Sequence, residues 1–420
     1  MNRSCSRPSS NSFSRTRWHR KLIVALAVAA ACPVLATPPL YYVEILDVPA
    51  GRSSGFPYAI SPSGQVVGIA GDDRYDPAGL PMRVEPGVLD PLGQLFDSNN
   101  YPVAIASADL IVGSTISAPC VWNSGVPQLL PALPGWFNGE ARGVSTTGAA
   151  VGWFTNDFAG YSVPVYWAAT DETPVQLPDP NGSSESSIGG AHALNAAGQI
   201  CGYVGFEAGF VGARWDSPTA AAIVIGPLAG ASLSEVIAIN AAGDTCGRSS
   251  YEDSSVQAMA HLRAENQLVA LGWLGTGNYS FARGINSSRQ IVGDSNDGNG
   301  ALRAFIWQDG VMRDLNTRVH SSNVPFELLL SAVGINDAGQ IAAEALVETD
   351  RGIVSRVALL TPASRVPGDI DGDGDVDLTD LAILLGQFGC AADCDADING
   401  DNIVDLTDLA MLLAKFGTGG

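Results

Sequence analysis

Residues 193–202 read ALNAAGQICG, and close relatives of this decapeptide recur along most of the 420-residue chain. The shared pattern is A-[IV]-N-x-x-G-x-[IV]-x-G. It runs from Ala59-Ile60-Ser61 to Gly68, from Ala104-Ile105-Ala106 to Gly113 and from Gly143-Val144-Ser145 to Gly152. It continues from Ala193-Leu194-Asn195 to Gly202, from Ala238-Ile239-Asn240 to Gly247 and from Gly284-Ile285-Asn286 to Gly293. A seventh copy opens at Gly334-Ile335-Asn336 and ends on Ala343. The steps between endpoints are 45, 39, 50, 45, 46 and 50 residues, the length of one four-stranded propeller blade.

Each copy reads as two short strands joined by a tight turn, because Asn-Ala-Ala-Gly at 195–198 and Asn-Asp-Ala-Gly at 336–339 supply turn residues with a glycine free to take φ > 0. A third strand follows and often closes on an aromatic, as at Trp122, Trp167, Trp215 and Trp307. These tryptophans recur at one blade position, which predicts core packing over a sugar-binding role. Six fourth strands follow in sequence, and the seventh is supplied by Tyr41 to Asp47, upstream of the first copy. The expectation is a mainly β chain whose residues 37–361 close into a seven-bladed propeller with no free sheet edge. The pattern is similar to the extracellular HAF repeat family, named for His-Ala-Phe. Its nearest forms here are Arg303-Ala304-Phe305-Ile306-Trp307 and Ala260-His261-Leu262, and the resemblance implies export without assigning a biochemical role.

After a short linker at 362–368 the composition changes. Residues 369–389 read DIDGDGDVDLTDLAILLGQFG and residues 397–417 read DINGDNIVDLTDLAMLLAKFG, offset by 28 positions. Each copy opens as a 12-residue calcium loop, which offers oxygens from positions 1, 3, 5, 7, 9 and 12. These are Asp369, Asp371, Asp373, Asp375, Asp377 and Asp380 in the loop 369–380, and Asp397, Asn399, Asp401, Ile403, Asp405 and Asp408 in the loop 397–408. Ile403 is acceptable at position 7 because only its carbonyl is used, and Gly374 and Asn402 suit the sharp turn at position 6. Leu381, Leu384, Leu385 and Phe388 then mark one helical face, repeated by Leu409, Leu412, Leu413 and Phe416.

No helix precedes either loop, so each unit is a loop plus an exiting helix. Two such units resemble the type I dockerin module, a small all-α domain over 369–420. The resemblance implies two calcium ions and docking onto a cohesin-like partner. Loop positions 10 and 11, which help select the cohesin, are Leu378-Thr379 and Leu406-Thr407, more apolar than the common pair. The basic pair usual further along the helix is replaced by Leu385-Gly386 and Leu413-Ala414. Leu381, Leu385, Leu409 and Leu413 are expected to meet in a small two-fold core. Between the units stand Cys390 and Cys394, whose spacing permits a disulfide after export, with metal binding the second reading.

Residues 1–36 read as a signal peptide: six basic residues and no acid precede the apolar stretch Leu22–Leu35, which ends on the small-residue site Val34-Leu35-Ala36. The net charge of −21 becomes about −27 without that segment, which disfavours nucleic acid and anionic membrane surfaces as partners. No other run is apolar enough to span a membrane. Cys201 and Cys246 hold the same place in neighbouring repeats and are expected to be buried free thiols.

No P-loop, HExxH or GxSxG occurs, and the histidines of the mature chain, His192, His261 and His320, are scattered over three repeats. The acidic run Asp294, Asn296, Asp297, Asn299 reads as a turn rather than as a metal site. The function expected is that of an exported, calcium-binding, non-catalytic propeller scaffold that binds a polysaccharide or cell-surface ligand and docks through its C-terminal module. A carbohydrate-active enzyme of the O-glycosyl hydrolase class is the alternative.

Overall fold

The computed structural model describes residues 38–420 apart from 73–75, 77, 96–99, 108, 157–159, 181–187, 207–208, 321–325, 351, 364–367, 371–374, 392–393, 400, 402 and 418–420. The signal-peptide reading of 1–36 falls outside the described residues, and so do Asp371, Asp373, Gly374 and Asn402.

Seven antiparallel four-stranded sheets follow one another and form a mainly β, seven-bladed propeller. Blade 1 is built from Ser54–Ile60, Val66–Gly71, Leu80–Glu85 and Val88–Pro91, and blade 2 from Tyr101–Ser107, Leu110–Ser114, Pro119–Asn123 and Val126–Leu129. Blade 3 uses Asn138–Val144, Ala150–Asn156, Tyr161–Trp167 and Val175–Gln176. Blade 4 uses Gly189–Leu194, Ile200–Phe206, Gly209–Trp215 and Ile223–Ile225. Blade 5 comprises Leu233–Ile239, Thr245–Ser250, Val256–Leu262 and Gln267–Gly272, and blade 6 Ser280–Ile285, Ile291–Asn296, Leu302–Gln308 and Val311–Asp314. Blade 7 takes Leu328–Ile335, Ile341–Thr349 and Gly352–Pro362 from the end of the repeat region and borrows Tyr41–Ile45 as its outer strand. That strand runs antiparallel to the last one, with Tyr41 opposite Pro362 and Ile45 opposite Ala358. Its Tyr41 is fully buried, so closure adds core contacts as well as main-chain hydrogen bonds.

The repeat pattern has a mechanical origin. In every blade the inner strand carries a β-bulge one residue before the motif begins, for example between Ala141 and Gly143 and between Ala191 and Ala193. The bulge turns the inner strand toward its neighbour, and the closing glycine of the motif lies opposite it. A Cβ on Gly68, Gly113, Gly152, Gly202, Gly247 or Gly293 would collide with an inner-strand carbonyl, that of Glu140 in the case of Gly152. Blade 7 has a second bulge between Leu329 and Ser331, and there Ala343 takes the place of glycine. The motif's first residue is small because inner strands converge at the axis: a Cβ on Gly143 would lie 2.9 Å from Cα of Ala193.

The motif asparagine performs two tasks. Asn286 accepts main-chain amides from Ser288 (3.1 Å) and Gln290 (3.0 Å), fixing its own turn, and donates Nδ2 to the carbonyl of Asn336 in the next blade (3.2 Å). Asn195 donates in the same way to Asn240 (2.9 Å), and Asn240 to Asn286 (3.1 Å). Blades 1 to 3 have Ser61, Ala106 and Ser145 at this position and cannot extend the ladder. Tryptophans tie the other half. Trp122, Trp167 and Trp215 are fully buried, and each indole donates to a carbonyl beyond the preceding blade: Gly93 (2.7 Å), Pro131 (2.9 Å) and Pro178 (2.8 Å). Cys120, Cys201 and Cys246 are buried free thiols.

Beyond the propeller lie two short helices, α1 (Leu378–Gly386) and α2 (Leu406–Leu413). Among the described residues no helix is long and apolar enough to cross a membrane.

Candidate functional site

The central channel has a lining that departs from the repeat. Because each bulge adds one residue to an inner strand, seven bulge residues form a ring around the axis: Tyr58, Val103, Arg142, His192, Ile237, Arg283 and Val333. All seven line a cavity of about 680 Å³, together with Glu235, Arg248 and Phe281. A space of that size suits a small organic ligand or the end of a chain.

The polar groups gather in blades 3 to 7. Arg142 pairs through Nε with Glu140 Oε2 (2.8 Å) and lies over the Trp153 ring (4.5 Å). Arg248 pairs through Nε with Glu235 Oε1 (3.0 Å) and lies over Phe281 (4.6 Å). Arg283 also lies over Phe281 (4.7 Å) and pairs with the buried Asp294, which accepts a further hydrogen bond from Ser331 (2.9 Å). Each cation is therefore held by a carboxylate and by a ring face, an arrangement that fixes its direction.

His192 stands between the first two. Its ring meets Trp153 edge-on (centroids 5.7 Å apart) and tilts against Tyr203 (5.5 Å). Burial, then the charges of Arg142 and Arg248, push its pKa down to about 3, so the imidazole is neutral at physiological pH. Nε2 is sealed from solvent and has no hydrogen-bond partner among the described residues.

This ring escapes a motif search because it occupies the positions at which the repeats disagree. The residue just before each A-[IV]-N is the signal that could have found it. Away from the channel, Trp122, Trp167, Trp215 and Trp307 are core, as expected. Asp297 caps its own turn by accepting from Asn299 (2.8 Å) and Ala301 (3.0 Å), and it pairs with Arg303. Asp294 belongs to a strand and not to that loop.

At the C-terminal loops, Asp377 and Asp405 are the N-caps of α1 and α2, and Asp380 and Asp408 complete capping boxes. Asp408 is fully buried. Its Oδ1 accepts from Ile398 (2.8 Å) and Asn399 (3.0 Å), and its Oδ2 from Asp405 (2.9 Å), so one carboxylate joins both ends of the loop. Asp380 does the same with Ile370 (2.6 Å) and Asp377 (2.8 Å). In the second loop the Asp401 amide donates to both Asp397 Oδ1 (3.1 Å) and Asn399 Oδ1 (2.8 Å), and Asp401 Oδ1 accepts from Ile403 (3.0 Å). Asp397, Asn399 and Asp401, at positions 1, 3 and 5, are thereby tied to one another through main-chain amides of the loop. Among the described residues no three His, Cys, Asp or Glu side chains are grouped closely enough to hold a metal by themselves, so a cation there depends on Asn399 and main-chain oxygen as well. Asp369 and Asp375 are among the described residues, whereas Asp371 and Asp373 are not.

The two units interlock by exchange. The Gly389 amide, after α1, bonds the Val404 carbonyl (2.8 Å), and the Gly417 amide, after α2, bonds the Val376 carbonyl (2.7 Å), both pairs offset by 28 residues. Cys390 and Cys394 are disulfide-bonded beside this exchange. The core reading needs correction. Ile370, Val376, Leu384, Ala396, Val404 and Leu412 are buried, with Leu381 and Leu409 partly so. Leu385 and Leu413 are 55% and 53% exposed, and Phe388 and Phe416 are also exposed. The leucine three positions after Leu381 and Leu409 turns inward instead, and Leu384 and Leu412 pack in one cluster with Val376 and Val404. Leu378 and Leu406, 72% and 71% exposed, extend the same outward faces, next to the exposed Thr379 and Thr407.

No protein-family model and no curated protein matches the chain. Solved structures similar to it include one of two prolyl endopeptidases, at 10% identity over 76% of this chain and 46% of that one, with a TM-score of 0.46. Others are TolB from Acinetobacter baumannii (12% identity, 67% and 62% covered, TM-score 0.38) and YCF48 bound to a D1 peptide (13%, 80% and 100%, TM-score 0.43). The chain spans less than two thirds of the first two. What it does therefore rests on its own residues.

Proposed function

We propose that this is an exported binding protein: a non-catalytic propeller displayed by a dockerin-like, calcium-binding C-terminal module that docks on a cohesin-like partner. The observation that carries the reading is the pair of matching outward apolar faces, Leu378, Leu385 and Phe388 on one unit and Leu406, Leu413 and Phe416 on the other. So many exposed large apolar side chains on a small acidic module mark an interaction surface. Leu378, Thr379, Leu406 and Thr407 sit at its edge and are assigned to partner contact.

The ligand oxygens assigned are Asp369, Asp371, Asp373, Asp375, Asp377 and Asp380 in one loop, and Asp397, Asn399, Asp401, the Ile403 carbonyl, Asp405 and Asp408 in the other. A bound calcium ion supplies the positive charge that these carboxylates lack among themselves. Asp380 and Asp408 orient the loops through the main-chain amides they accept, and the helices then present their outward faces.

The channel supports binding over hydrolysis. Glu140, Glu235 and Asp294 are each engaged by a guanidinium, so these carboxylates serve to position the arginines. The test is docking of the whole protein to immobilised type I cohesins, in calcium and in chelator. Calcium-dependent capture, lost in Leu378→Asp with Leu406→Asp, supports the proposal, and capture by none of the cohesins in calcium refutes it.

A further inference from the structure

We propose that the axial mouth between blades 3 and 6 binds an acidic oligosaccharide, with the carboxylate of a uronic acid held between Arg142 and Arg248 beside His192. This rests on the reading of the propeller as a binding body, and it names the ligand class.

Three guanidiniums converge on one channel of a chain whose net charge is −21, although outward-facing positions would serve solubility equally well. Arg142 and Arg248 meet their carboxylates through Nε, at 2.8 and 3.0 Å, which leaves their terminal N–H groups for an incoming oxyanion. Ring faces of Trp153 and Phe281 hold both guanidinium planes, so little side-chain freedom is lost on binding. Between them stands His192, whose neutral imidazole adds no competing charge. Two fixed forks describe a carboxylate receptor.

The rest of the mouth suits a sugar. Glu140 and Glu235 keep acceptor capacity for hydroxyl groups, and Tyr58 brings an aromatic side chain to the lining. The cavity of about 680 Å³ exceeds what a lone inorganic anion fills and matches a short oligosaccharide.

The experiment is calorimetric titration of the full-length mature protein with trigalacturonate, its neutral methyl ester and trialanine. Trigalacturonate is expected to bind at least tenfold more tightly than either of the others. Arg142→Gln and Arg248→Gln should each weaken it at least tenfold, whereas Arg303→Gln, on the third strand of blade 6, should leave it unchanged. Thermal melts establish that the variants are folded. If a Gln variant melts early, the corresponding Lys variant is read instead, with a loss of at least fivefold expected because an ammonium lacks the planar fork. Equal binding of the methyl ester, tighter binding of trialanine, unchanged affinity in the folded variants, or no binding of any probe overturns the proposal. Repeating the titration in chelator separates this site from the docking module, since the channel affinity should not change there.

Discussion

The side-chain amide of Asn336 donates to the main-chain carbonyl of Ser61 at 3.2 Å, joining the last repeat to the first across 275 positions of sequence. The same junction is crossed twice more, by the strand Tyr41–Ile45 on blade 7 and by packing of Gly334 near Ile60. The ring is thus closed at its inner wall, in its interior and at its outer edge.

Deleting residues 38–48 should therefore do more than remove one strand. It bares the edge of Gly352–Pro362 and the core around the buried Tyr41. Thermal unfolding should fall by 10 °C or more, on the order of what a lost blade strand implies, and light scattering should rise. A truncated protein that melts with the intact one would refute strand exchange as the closure.

Gly152→Ala should be more damaging than a one-carbon change suggests, because the new Cβ meets the main-chain carbonyl of Glu140 and not a movable side chain. A loss of about 3 kcal/mol is expected. Ala343→Gly, at the equivalent place in blade 7, should cost less than about 1 kcal/mol. Denaturant unfolding of the two variants checks the contrast.

Asn286→Ala removes one donor to blade 7 and two acceptor contacts within its own turn. It should cost about 2–3 kcal/mol, whereas Ser145→Ala, at a rung that has no interblade amide, should cost under about 1 kcal/mol. Equal losses in chemical denaturation would remove the ladder from the account.

In the C-terminal module two aspartates should behave differently. Asp408→Ala loses three main-chain amides and should loosen the second unit by about 2–4 kcal/mol even without calcium. Asp397→Ala should matter chiefly when calcium is present, by lowering its affinity. Calcium titration followed by calorimetry and by circular dichroism separates the two. If calcium neither binds nor adds helical signal in the unmodified protein, the loops are not calcium sites.

His192 gives the channel a pH signature. Its pKa falls from 6.5 in the unfolded chain to about 3 in the folded one, so the folded state resists protonation. Stability from this group is complete above pH 6.5 and is lost as the pH falls toward 3, by up to about 1.4 kcal/mol per pH unit. Between pH 7 and pH 4, His192→Gln should lose less stability than the unmodified protein. An identical pH dependence in the two would show that the imidazole is not held neutral.

The frame was legible from the chain and the site was not. Glycine opposite a bulge, a small residue at the axis and asparagine on the ladder repeat because each blade meets the same steric demand, and a repeated demand leaves a repeated letter. Arg142, His192 and Arg283 sit one step before that pattern, at bulge positions where the backbone tolerates any side chain. The repeat marks their position but not their identity. In the module, helical spacing correctly found two apolar stripes but assigned Leu385 and Leu413 to the interior. The buried residues are Leu384 and Leu412, which pack with Val376 and Val404 from the loops, a tertiary contact that helical spacing does not encode.

The borrowed strand also sets the order of events during synthesis. Tyr41–Ile45 is made before any blade, yet its partner, Gly352–Pro362, follows more than three hundred residues later. Six blades can form in turn from local hairpins as they arrive, while the leading strand waits unpaired with Tyr41 in water. Closure is a single late event with a long loop entropy to overcome. Until then those five residues are the part of the propeller that most needs shielding from other chains.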